Sequence, residues 1–189
     1  MQQESRTTGA VVALAGRRVD AAGTQPPRFP LENVPLVRKR LAELLAGEGA
    51  ATLVCSAACG ADLVALEEAE RLGLRRRIVL PFPPERFRET SVVDRPGEWG
   101  PVFDRLVAAA QGAGDLVVLD AGKGDAAYAA ANEAIVREAQ ALAQAPAAAL
   151  RLVAVVVWEG AARSGSDATR GLRDLAVRAG FEERSVSTL

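Results

Sequence analysis

Five short apolar runs, at residues 10–15, 52–55, 77–80, 115–119 and 150–158, are each followed by a segment with helical character. The runs are largely continuous rather than alternating. That is the pattern of strands buried on both faces, and such strands pair in parallel beneath two layers of helix. Helices are expected at 34–46, 61–72, about 101–111 and 126–144, and from the N-cap Asp167 to residue 179. A helical turn is expected at 85–89 and a last edge strand at 183–187. Gly73 and Gly180 are stop signals, and Pro146 ends the alanine-rich helix. The expected fold class is α/β: a Rossmann-like parallel sheet of five to six strands with helices on both faces. Residues 1–189 are read as one domain, with 1–8 as a disordered tail. In sheets of this kind ligands sit beyond the carboxyl ends of the strands, where strand order reverses.

Composition narrows the chemistry. The chain has no histidine, which removes Ser-His-Asp and Cys-His nucleophile activation and every histidine-ligated metal site. Its two cysteines, Cys55 and Cys59, are too few for a disulfide framework or a four-thiolate zinc site, and they read as small buried residues beside a turn. No metal is expected. The 23 basic and 24 acidic residues nearly cancel, so no global field draws the chain to nucleic acid or to an anionic membrane. No apolar run approaches the length of a membrane span. With no signal-type segment before the first strand, a cytoplasmic location is expected.

The second strand passes into the second helix through small residues, from Cys55 and Ser56 through Ala57, Ala58, Cys59, Gly60 and Ala61 to Asp62. Small side chains let backbone amides approach a ligand, and the helix directs its positive end at the same point. A phosphate is the expected occupant, helped by Arg17 or Arg18, which follow Gly16 at the end of the first strand. Asp62 would repel an anion there, so it is assigned to ribose hydroxyls or a backbone donor. Glu67 shares a helix face with Leu63, and an arginine is its natural partner. Phe82 and Ser91 after the third strand, and Tyr128 and Asn132 one helical turn apart, are expected to face ribose or base. Trp158, Glu159, Asp167 and Thr169 form either a second wall of the crevice or loop and cap chemistry. The proline-rich stretch around 23–30 is a long loop that a ligand would order.

The order of these pieces resembles the SLOG superfamily, the Rossmann-like group of DprA-like and Lonely Guy-like proteins. The resemblance rests on Gly16-Arg17-Arg18, the turn from Ser56 to Asp62 with Glu67 after it, Leu80-Pro81-Phe82 with Phe87 and Ser91, and the helix start from Ala127 to Asn132. It is nearest to the signalling-associated branch, which implies sensing of a nucleotide or nucleotide derivative. The hydrolase branch carries a Pro-Gly-Gly-x-Gly-Thr segment where this chain has residues 120–125, Asp-Ala-Gly-Lys-Gly-Asp.

Two functions are expected from these residues. The first is binding of a nucleotide-type small molecule at Gly16, Arg17, Arg18, Ser56, Ala57, Gly60, Ala61, Asp62, Phe82, Ser91, Tyr128 and Asn132. Its partners would exclude membrane and nucleic acid and leave room for a homo-oligomer. The alternative is hydrolysis or transfer at an N-glycosidic bond, with Glu67, Asp120 or Asp125 as the carboxylate.

Overall fold

The structure is a computed structural model, and it describes residues 9–144 and 150–189. The tail expected at 1–8 and the stop at Pro146 lie outside the described residues. In chain order the elements are β1 (Ala10–Gly16), a 3-10 turn (Leu31–Asn33), α1 (Val34–Gly47), β2 (Ala50–Cys55), α2 (Ala61–Arg71), β3 (Arg75–Leu80) and α3 (Pro84–Ser91). There follow α4 (Trp99–Gly112), β4 (Leu116–Val118), α5 (Asp125–Ala143), β5 (Arg151–Trp158), α6 (Ala168–Arg178) and β6 (Glu182–Ser187).

The six strands form one sheet in the order β4-β3-β2-β1-β5-β6, and every neighbouring pair is parallel. Because β1 lies in the middle, both of its faces are covered. Ala10, Val12 and Leu14 pack into the layer that includes Val37, Leu63 and Phe103 from α1, α2 and α4. Val11 and Ala13 pack into the opposite layer with Ile135 and Leu172 from α5 and α6. This two-sided burial is the reason its sequence is a continuous apolar run. The chain winds outward from β1 through β2 and β3 to β4, then returns to the other side of β1 as β5. The topological switch point is therefore between β1 and β5.

Several boundaries differ from the sequence expectation. β3 begins at Arg75 because the arginine backbones pair with Thr52 and Leu53 of β2, while the heads of Arg75 and Arg76 reach Asp115 and Glu70. The turn expected at 85–89 is a full helix, α3, opened by Pro84 in its first turn. α4 starts at Trp99, whose indole N–H bonds back to the Pro96 carbonyl.

Two glycines fix how α2 meets β1. A Cβ on Gly16 would lie 2.3 Å from the Ala61 Cβ and 2.7 Å from that of Val157, so only a bare backbone lets the helix sit on the strand end. Gly60 has φ +91° and its hypothetical Cβ would come within 2.8 Å of the Arg17 carbonyl, so this N-cap position needs glycine on both counts.

Candidate functional site

A cavity of about 730 Å³ opens at the carboxyl edge of the sheet, over the switch point. Gly16, Ser56, Ala58 and Asp62 line it from the ends of β1 and β2 and the start of α2. Ser91, Tyr128 and Asn132 line it from α3 and α5, Asp167 and Thr169 from the start of α6, and Asp20, Thr24 and Arg28 from the loop after β1. Arg17, Arg18, Arg95 and Arg163 are also in its wall.

The expected phosphate position on the α2 turn is taken by the protein itself. The Ala61 amide donates to the Arg17 carbonyl, Cys59 to Ser91 and Leu63 to Ala58. The Ala58 amide donates to Asp62 Oδ2 at 3.2 Å. The turn thus carries its own anion, and the backbone donor assigned to Asp62 is Ala58.

The Arg17 guanidinium is likewise committed. Its Nε and Nη2 bond Glu159, Nη1 bonds Asp167 at 2.7 Å, and Nη2 also bonds the Ala161 carbonyl. Only 5% of this residue is exposed. Burial by itself lowers the Arg17 pKa, but the two carboxylates outweigh it and raise it. Arg17 is therefore a strut between β1, β5 and α6 rather than a ligand for phosphate. Arg18 is a third exposed; its Nη1 grips both oxygens of Asp94 at 2.8 Å and the Thr90 carbonyl. Arg163, an exposed residue of the cavity wall, donates its backbone amide to Asp167 Oδ2, and its side chain has no ion-pair partner among the described residues.

The loop after β1 is stapled by the chain's own contacts. Asp20 Oδ2 accepts from the Arg28 and Phe29 amides, Phe29 is fully buried, and Arg28 Nη1 reaches Glu159 at 2.5 Å. The tip expected to await a ligand is thus already tied down at its base.

Other expected residues divide cleanly. Tyr128 and Ser91 meet through their hydroxyls at 3.0 Å, and Asn132 Nδ2 donates to the Ala168 carbonyl, so both pairs hold the wall in shape. Phe82 is not at the cavity: it is 4% exposed, its ring packed against Phe87 and Tyr128 with the Arg86 guanidinium over its face. Ala57, Gly60 and Ala61 are buried turn residues outside the lining, needed for steric reasons. Glu67 has its arginine, Arg38 at 2.6 Å, well away from the crevice. Cys55 and Cys59 are buried thiols, and burial pushes Cys59 to about 11.

What the sequence did not reveal is that two of the expected residues, at the floor of the cavity, carry polar atoms without partners. Ser56 Oγ and Asp62 Oδ1 are buried without a hydrogen-bond partner. Each such atom costs about 1–3 kcal/mol when nothing satisfies it. Burial raises Asp62 to about 7, while the Ala58 and Gly16 amides and the Arg18 charge pull partly the other way. Among the described residues no group of three or more His, Cys, Asp or Glu is placed to hold a metal ion. Among them, too, no helix is long and apolar enough to cross a membrane.

No family model and no curated protein matches the sequence. Among solved structures, the chain is similar to the X-ray structure of DNA processing protein A (DprA) from Streptococcus pneumoniae. The two share 16% identity with a TM-score of 0.41, over 94% of this chain and 59% of that one. The chain therefore spans about three fifths of the protein it matches, and the Rossmann-like assignment rests on its own strand order.

Proposed function

We propose that the chain binds a nucleotide or nucleotide-derived ligand in the crevice over the switch point, as a SLOG-type binding module. The observation that carries this reading is the floor: two buried polar atoms without partners, Ser56 Oγ and Asp62 Oδ1, beneath a cavity of about 730 Å³. That volume suits a small organic ligand, and its position is where parallel sheets take them. The phosphate belongs at the mouth, on Arg18, Arg95 and Arg163, because the Ala58, Cys59, Ala61 and Leu63 amides are already occupied and Asp62 places a carboxyl among them. The lining alternates arginines with Asp20, Asp62, Asp125 and Asp167, a balance that favours a compact ligand over a polyanion.

Isothermal titration of the whole chain against nucleoside mono- and diphosphates, ADP-ribose and cyclic nucleotides tests the reading. Saturable binding that weakens in Arg18→Ala and Arg163→Ala supports it; no binding to any member of the panel overturns it.

N-glycosidic cleavage is the second reading, and one observation favours it. A carboxyl near pKa 7 on a crevice floor, as at Asp62, suits acid–base work. Neither Glu67 nor Asp120 lines the cavity, so Asp62 would carry that chemistry, with Asp125 at the rim. Release of free base from nucleoside monophosphates, lost in Asp62→Asn, would decide for it. A ligand bound but never cleaved would decide against it.

A further inference from the structure

We infer that the floor of the crevice reads the cis-diol of a ribose, with Asp62 accepting a hydrogen bond from one hydroxyl and Ser56 bonding the other. The inference rests on the binding reading above and names the part of the ligand that the two unpartnered atoms recognise.

Asp62 is held at one end only. Its Oδ2 receives the Ala58 amide, which fixes the carboxyl in the first turn of α2, and its Oδ1 is left without a partner. Ser56, at the other end of the same turn, leaves its Oγ unpartnered as well, and both residues line the cavity. Asp62 as a whole is 6% exposed, so bulk water does not satisfy it. Buried polar atoms in folded proteins nearly always have partners, so two orphans on one turn of a cavity wall define what is missing.

The missing group must supply a donor to a carboxyl oxygen and either a donor or an acceptor to a hydroxyl. A phosphate fails, since it offers acceptors to a group that is itself anionic when ionised. A base edge offers the right atoms but needs a flat apolar face to lie against. The wall beside Asp62 is built from Gly16, Ser56 and Ala58, and the half-buried ring of Tyr128 belongs to the other bank. Two adjacent hydroxyls satisfy both orphans at once, because each can donate or accept. Gly16 itself lines the cavity beside the two orphans, its missing side-chain volume already filled by Ala61 and Val157. The arginines at the mouth then lie where a 5′-phosphate would emerge. The charge on Asp62 makes the bond to a hydroxyl stronger when the carboxyl is ionised. The groups that act on it are the Arg18 guanidinium, the Cys55 and Cys59 thiols and the Ala58 and Gly16 amides.

The test is titration of the whole chain with matched pairs: AMP and dAMP, GMP and dGMP, CMP and dCMP, UMP and dUMP. For whichever base binds, the ribo form should bind about 10- to 100-fold more tightly than the 2′-deoxy form. In Asp62→Asn, which keeps an acceptor for the Ala58 amide, and separately in Ser56→Ala, that ratio should fall toward one. The wild-type ratio needs no variant, so misfolding of either replacement leaves the test intact. Equal affinity for ribo and deoxy partners overturns the inference and leaves the binding reading standing. Full preference retained in both replacements overturns it as well, because an ordered water would then be the true partner of the orphans. If none of the eight nucleotides binds, this inference is overturned, while the binding reading is decided by the wider panel of diphosphates, ADP-ribose and cyclic nucleotides.

Discussion

Asp62 and Asp167 occupy comparable positions, at the start of α2 and of α6, facing the same crevice from its two banks. Their environments are opposite. Asp167 is fully satisfied: Oδ1 takes Arg17 Nη1 and the Arg170 amide, and Oδ2 takes the Arg163 amide. Burial would raise its pKa, but Arg17 and the two amides outweigh burial and lower it. Asp62 takes one hydrogen bond, from the Ala58 amide, with the Gly16 amide nearby, leaves Oδ1 without a partner at hydrogen-bond distance, and has a pKa raised by burial to about 7. A helix start favours an aspartate in both places, so position does not separate them. The count of partners does. Asp167 is complete and supports the fold, while Asp62 is incomplete and waits for a donor.

Breaking the Asp167 bank should have the largest effect. Arg17→Met leaves Glu159 and Asp167 buried without their shared cation, and stability should fall by about 3–5 kcal/mol in urea denaturation. A loss below about 1 kcal/mol would mean that the strut is ornamental and that the contrast fails.

The two aspartates should also give opposite pH slopes. Asp62 binds its proton more tightly folded, near 7, than unfolded, near 3.8, so its contribution declines as pH rises between these values. Asp167 binds its proton less tightly folded, so its contribution is present above about 3.8 and is lost as pH falls through its lowered folded pKa. Asp62→Asn should therefore be more stable than wild type at pH 8 by a few kcal/mol, and the gap should close toward pH 4. Chemical denaturation at pH 4, 6 and 8 reads the Asp62 slope, points below about 3.8 read that of Asp167, and a constant gap would remove Asp62 from its assigned environment.

The rim gives smaller effects. Arg18 and Asp94 are each about a third exposed, so Asp94→Asn should change stability by less than about 1 kcal/mol. It should instead release Arg18 and tighten binding of a 5′-phosphate about two- to fivefold, an effect that fades in high salt. Tyr128→Phe removes only the hydroxyl contact with Ser91 and should cost about 1 kcal/mol in a thermal melt.

How much of this was readable from the sequence follows from the range of each interaction. Buried strands and helix stops are local signals, and β1, β5, α6 and the Asp167 cap were legible within a residue or two. The two arginines that open β3, Arg75 and Arg76, hid its start, because their ion partners, Asp115 and Glu70, lie outside the strand. In the site, the topological rule gathers Gly16, Ser56, Asp62, Ser91, Tyr128 and Asn132, and all six line one cavity. It could not show that Arg17 is bound by carboxylates from β5 and α6, at 142 and 150 residues' separation. Nor could it tell a phenylalanine at the strand end, Phe82, from one in the core.

Glu159 takes Arg17 with one carboxylate and Arg28 with the same group. The exit of β1, the end of β5 and the stapled loop are thereby clamped to a single anion. The facing side, where Arg18 and Asp94 meet near solvent, is held by a single, more exposed ion pair. Mechanically the crevice is a vice with one stationary jaw.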